Sequence, residues 1–197
     1  MSIFEEINFE ERARNLTLPE FDQQLLSYPL ILKQFDGVYN IEPEHIILGV
    51  KLIKGWLNLP QESFDYESEG LQFMVDKFNG AFNENISFQE LTDLALYFGN
   101  FETTTAMLHF LNPYSYPIHS PEIDKVLYKK TATTLKWEEQ YLWQFIEACQ
   151  SFSSYDYGMT TPIENIVSER LTEAGYDNKV DKMRAIEMCL IYGDDET

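Results

Sequence analysis

Apolar residues along this 197-residue chain recur at intervals of three and four. Ile46, Ile47, Val50, Ile53 and Leu57 form one such series; Tyr141, Leu142, Phe145 and Ile146 form a second, and Val180, Met183, Ile186 and Leu190 a third. That spacing stacks side chains on one face of an α-helix. Start signals repeat beside the series. Ser2-x-x-Glu5, Thr17-x-x-Glu20, Ser87-x-x-Glu90 and Thr161-x-x-Glu164 each fit a capping box, in which a hydroxyl accepts from an orphan N–H while the carboxylate reaches back. Pro19, Pro121 and Pro162 stand near expected starts, where a missing N–H costs little. Gly175 and Gly193 stand where a left-handed C-cap would fall.

The spacing predicts helices over 3–15, 19–28, 29–35, 43–58, 67–78, 88–98, 102–111, 121–134, 137–152 with 162–174, and 179–192. Strand-like alternation is nearly absent, and Asp36-Gly37 and Asn79-Gly80 read as helix ends rather than hairpin turns. The expected fold is all-α: about ten short helices in one acidic helical domain, 1–197, either as a single lobe or as sub-lobes 1–80 and 81–197. The loop at 59–66 and the Ser/Tyr-rich stretch 151–161 interrupt the pattern. Tyr155 and Tyr157 in the latter suit either a protein interface or a plain interhelical loop.

Composition supports a packed core, with 44% hydrophobic and 15% aromatic residues, and this excludes global disorder. Charge adds more. The chain has 33 acidic and 14 basic residues, a formal net charge of −19. Residues 1–100 carry 17 acids and 6 bases, and residues 101–197 carry 16 and 8, so the imbalance belongs to the whole chain and not to a tail. Such a field keeps a protein soluble, repels phosphate backbones and accelerates encounter with basic partners. Cys149 and Cys189 are too few for a disulfide framework, the first residues lack signal-peptide character, and no apolar run approaches the roughly 18–20 residues that span a bilayer. The expectation is a cytoplasmic protein, in a cell or in an infected host, with no membrane contact.

Motifs of common chemistry are missing. His45, His109 and His119 are scattered and neither cysteine has a C-x-x-C partner, so no metal is expected. Phosphate-loop, dinucleotide and serine-nucleophile motifs do not occur, so no cofactor is expected either. Adjacent acids such as Glu5/Glu6, Glu10/Glu11 and Glu138/Glu139 diverge on a helix and read as solvated surface.

Residues 94–128 form the one distinctive stretch. A helix ends near Gly99, a short hairpin follows, and a second helix carries Ala106, Leu108 and Leu111. Asn112-Pro113 breaks it, Tyr116-Pro117-Ile118 is extended, and Ser120-Pro121 caps the next helix. This order resembles the core of the helix-hairpin-helix DNA glycosylase superfamily, with Leu108–Pro113 and Tyr116–Ile118 the nearest match. The resemblance implies two lobes with the hairpin at 98–105 facing the cleft, and an aspartate after the Pro-Val/Ile step. Here His119 or Ser120 stands at that position. Thr103, Thr104 and Thr105 stand where some members carry a nucleophilic lysine, Phe101 replaces the second hairpin glycine, and Glu102 beside it would repel a phosphate. Asp124 is an alternative acid if the helix begins later than expected. For a base-handling protein, Tyr114, Tyr116, His119 and Ser120 would line the pocket, and Lys125, Lys129 and Lys130 its rim.

Two functions follow from these readings. One is a non-enzymatic protein whose acidic surface engages and inhibits or neutralises a basic, nucleic-acid-handling partner, as DNA mimics, immunity proteins and anti-defence proteins do. The other is a glycosylase-like protein acting on or sensing a modified base. The charge and the absent catalytic set favour the first.

Overall fold

A computed structural model describes residues 3–60, 68–83, 85–128, 139–154, 162–176 and 178–194. Among these the fold is all-α, with ten helices and a single isolated bridge pairing Leu16 with Gly193. The chain divides into two compact units, residues 23–112 and residues 1–22 with 113–197. The division thus falls elsewhere than 80/81, which lies inside the fourth helix.

The 23–112 unit contains α2 (Gln23–Phe35), α3 (Pro43–Trp56), α4 (Ser68–Asn83), α5 (Phe88–Phe98) and α6 (Phe101–Leu111). Helix α6 is its centre: every residue from Thr103 to Leu111 is buried. A helix enclosed on all sides must satisfy its own polar groups. Thr104 and Thr105 donate to the carbonyls of Asn100 and Phe101, both at 2.9 Å, and His109 Nε2 shares a 2.7 Å hydrogen bond with the Tyr28 hydroxyl. Helix α3 approaches α6 closely at Gly49, where a Cβ would come within 2.9 Å of the Met107 thioether.

The other unit contains α1 (Phe9–Arg14), α7 (Pro121–Tyr128), α8 (Glu139–Ser154), α9 (Ile163–Glu173) and α10 (Lys182–Tyr192). Here α10 is the centre, buried from Met183 to Leu190. Phe4, Phe9, Phe145 and Phe152 form an aromatic cluster, with Phe4 and Phe9 ring centroids 5.0 Å apart and Phe9 and Phe152 4.6 Å apart. Arg12 donates to the carbonyls of Cys189 and Gly193, placing a cation at the negative end of α10.

Local signals hold where no tertiary contact competes. Ser87 and Glu90 form the expected capping box of α5, and Gly99 ends it in the left-handed conformation at φ 79°. Five expectations are corrected. Pro29 does not split α2: reciprocal bonds between the Gln24 and Trp56 side chains and backbones, with Tyr28 bound to His109, hold the helix on its neighbours across the missing N–H. Asn79-Gly80 lies within α4, because the Asn79 amide is engaged by the backbone N–H and carbonyl of Ile41 and does not cap. Thr17 starts no helix; its N–H donates to the Tyr192 carbonyl beside the Leu16–Gly193 bridge, and α2 begins only at Gln23. The first helix starts at Phe9, not near residue 3, since Asn8 supplies the cap and residues 3–6 form a turn. Gly193 caps α10 at φ −90° rather than left-handed, and glycine is needed there for another reason: a Cβ would lie 2.5 Å from the Cys189 carbonyl oxygen and 2.9 Å from that of Arg12. Ser2 and Thr161, of the remaining two capping boxes, lie outside the described residues.

Candidate functional site

The segment from Tyr114 to Asp124 is held at three points, all within the unit that contains α7, α8 and α10. Gln150 of α8 donates to the Ser115 carbonyl at 3.0 Å. The Ile118 N–H donates to the Glu187 carboxylate of α10. His119 Nε2 meets Asp124 Oδ1 at 2.9 Å, closing the segment onto the first turns of α7. Ser120 supports the same turn by accepting from the Ile123 N–H at 3.4 Å. Asp124 lies inside α7, as its spacing from Ser120 implies, yet it faces inward.

Glu187 is the hub of this arrangement. It is fully buried and accepts from Arg184, one turn back on α10, at 2.6 Å. A carboxylate withdrawn from water is tolerated only when paired and hydrogen-bonded, and Glu187 has both a guanidinium and a backbone donor. Its charge also acts on Cys149: burial first, and then the Glu187 carboxylate, push that thiol well above its ordinary range. Burial likewise pushes Cys189 up to about 12, with Arg12 opposing. The apolar periodicity of Val180, Met183, Ile186 and Leu190 does not itself point to Glu187 or Arg184. The available signal was an acid and a base three apart inside a run otherwise apolar on every face.

The proposed pocket residues separate by exposure. Tyr116 and His119 are each 1% exposed, Asp124 is buried and Ser120 is partly buried, whereas Tyr114 is 79% exposed on the turn that precedes them. Lys125 is half-exposed and lies 3.7 Å from Glu122. Lys129, Lys130, Tyr155 and Tyr157 lie outside the described residues. Around the junction of α5 and α6, the expected hairpin is two residues, Gly99-Asn100, with Asn100 accepting from the Thr103 N–H at 2.7 Å. Thr103, Thr104 and Thr105 are buried in α6. The histidines serve separately: His45 accepts from the Glu42 N–H at the start of α3, His109 binds Tyr28, and His119 binds Asp124. Among the described residues no group of three or more His, Cys, Asp or Glu side chains could hold a metal ion.

The surface has a different character. Arg12, Lys54 and Arg184 are buried, and Arg14, Lys77, Lys125 and Arg170 each lie within 4 Å of a carboxylate, on Glu10, Glu90, Glu122 and Glu173. Meanwhile Glu5, Glu6, Glu20, Asp36, Glu42, Glu44, Glu69, Asp76, Glu147 and Glu169 are exposed. A shallow depression of about 340 Å³ beside α1 repeats the sign, being lined by Glu10 and Glu11 with Asn8, Arg14 and Asn15. Large apolar side chains are exposed as well, including Phe21, Tyr39, Leu96, Tyr97 and Tyr114. Among the described residues no helix is long and apolar enough to cross a membrane. No family model matches the chain, and neither does any curated protein or solved structure.

Proposed function

We propose that this chain is a non-enzymatic interaction protein whose acidic surface engages a basic, nucleic-acid-handling protein and inhibits or neutralises it. One observation carries the reading: seven of the eleven basic side chains among the described residues are drawn inward or onto the chain's own carboxylates, while the ten acids named above are exposed. The outward field is therefore more uniformly negative than the net charge of −19 alone requires. Exposed aromatic side chains among the acids supply the contacts that electrostatic attraction alone does not, since charge governs encounter and buried anchors govern residence.

Displacement tests this reading. A labelled duplex is bound to core histones at low salt, and the chain is titrated in. Release of the duplex, weakening as salt is raised, is expected. No release at tens of micromolar protein, a range that brackets ordinary non-specific affinity, would refute it. A second reading, a glycosylase-like protein, draws support from the element order α5, Gly99-Asn100, α6, the non-helical segment 116–120 and α7. Saturable binding of an abasic duplex by the chain alone, followed by anisotropy, would favour that reading over the first.

A further inference from the structure

We propose that the outer face of α4 and α5, centred on Leu96 and Tyr97, is the docking surface for an arginine-bearing segment of a basic protein. The inference rests on the reading of the chain as an acidic interaction protein and names where the partner attaches. Helix α5 turns Leu91, Leu94, Ala95 and Phe98 inward. Its opposite face carries Gln89, Asp93, Leu96 and Tyr97, which share a side at spacings of four, seven and eight residues. Polar residues belong on such a face, yet Leu96 is 78% and Tyr97 46% exposed.

The Tyr97 ring is held in place before any partner arrives. Its centroid lies 5.0 Å from that of Phe73 on α4, and Gly70 leaves room for it: a Cβ there would come 3.0 Å from the ring edge. An anchor already fixed loses little freedom on binding. The same aromatic pair already takes one cation. Lys77 lies 5.5 Å from the Phe73 centroid while its ammonium reaches Glu90 at 2.9 Å. Ring face plus carboxylate is the chemistry that receives a cation from a partner too.

Charge selects the occupant. Helices α4 and α5 carry Glu69, Asp76, Glu90 and Asp93 against Lys77, and Lys77 is committed to Glu90. A second copy of this chain is repelled by the shared negative charge, and nucleic acid by the same field. A planar guanidinium can lie on the Tyr97 ring and donate sideways to Asp93, one helical turn away, which an ammonium cannot do as well.

The test uses the full chain with labelled octa-arginine and octa-lysine peptides, read by fluorescence anisotropy and by amide chemical shifts. Octa-arginine is expected to bind about 3- to 10-fold more tightly than octa-lysine, the range a partly exposed cation–ring contact spans. Amides of 69–77 and 89–100 should shift most. Tyr97→Ala should abolish the arginine preference, Tyr97→Phe should keep it, and Tyr39→Ala, at an exposed tyrosine elsewhere in the unit, should leave it unchanged. Equal binding of both peptides, untouched by Tyr97→Ala and by Leu96→Ser, would overturn the docking surface while leaving the basic-partner reading in place. No binding of either peptide at low salt would overturn both.

Discussion

Replacing Glu187 by glutamine isolates the charge at the hub of the α10 unit. The Glu187→Gln side chain keeps nearly the same shape and an oxygen for the Ile118 N–H, but it no longer supplies a charged partner for Arg184. The two groups are 2.6 Å apart, with side-chain exposures of 5% for Arg184 and 0% for Glu187, so solvent cannot take over the guanidinium. Breaking a buried pair from one side costs about 3–5 kcal/mol, because a buried charge loses the carboxylate it was paired with. Glu187→Leu also orphans the Ile118 donor, which adds about 1–3 kcal/mol. The decisive comparison is Arg184→Met combined with Glu187→Gln. With the stranded cation gone and the acceptor kept, the double variant should recover most of the loss, giving a coupling of at least about 1.5 kcal/mol in a double-mutant cycle. Urea denaturation followed by far-ultraviolet circular dichroism measures the parent, both single variants and the double. Glu187→Gln within about 1 kcal/mol of the parent, or a double variant simply additive, would refute the reasoning.

Other variants test other parts. Glu90 is held down to about 2, first by the Ser87 N–H, then by the Ser87 hydroxyl and Lys77. Its folded-state value lies below the ordinary one, so its stabilisation is complete above about pH 4.5 and lost as pH falls through about 2; solvent exposure limits it to about 1 kcal/mol, which Glu90→Gln should remove at pH 7 but not at pH 2, as urea midpoints at the two pH values would show. Gly193→Ala forces a Cβ against the Arg12 backbone and should lower stability by about 2 kcal/mol or more, seen as a drop in Tm. Thr103 carries a buried hydroxyl without a hydrogen-bond partner among the described residues, so Thr103→Val should be neutral or raise stability by about 1 kcal/mol in the same denaturation assay. Cys149 and Cys189 are buried thiols with raised values, and neither should react with a thiol reagent at pH 8 until urea is added.

Legibility in the sequence followed the range of the interaction concerned. Ser87, Glu90 and Gly99 mark both ends of α5 correctly because capping is settled within four residues. Pro29, Asn79 and Thr17 carry equally strong local signals, and each is overruled by a partner distant in sequence: the Tyr28–His109 bond and its neighbours, the backbone of Ile41, and the Tyr192 carbonyl. Gly193 is marked correctly as a helix end, but a side chain there is excluded by two neighbours, the Cys189 carbonyl of its own helix and the Arg12 backbone of α1, and the second lies far away in sequence. The centrality of α6 is only half-visible in the sequence: three consecutive threonines are polar, and what lets Thr104 and Thr105 be buried is the return of their hydroxyls to carbonyls of their own helix.

The sign of the surface could be counted along the chain; the direction in which each charge faces could not. Nothing in the count shows that Arg12, Lys54 and Arg184 are buried, and removing them from the surface sharpens the field that the composition only implies. Leu94-Ala95-Leu96-Tyr97-Phe98 poses the reverse case, an apolar run that reads as core. Five consecutive residues sweep about 400° from first to last at about 100° per step, so a helix cannot bury them all on one face. Some had to point outward, and the periodicity of Leu91, Leu94, Ala95 and Phe98 already indicated which: Leu96 and Tyr97. The contact that makes those two more than stray exposure, the Phe73 ring seated against Tyr97 across from Gly70, joins residues over twenty positions apart and exists only once α4 and α5 have packed.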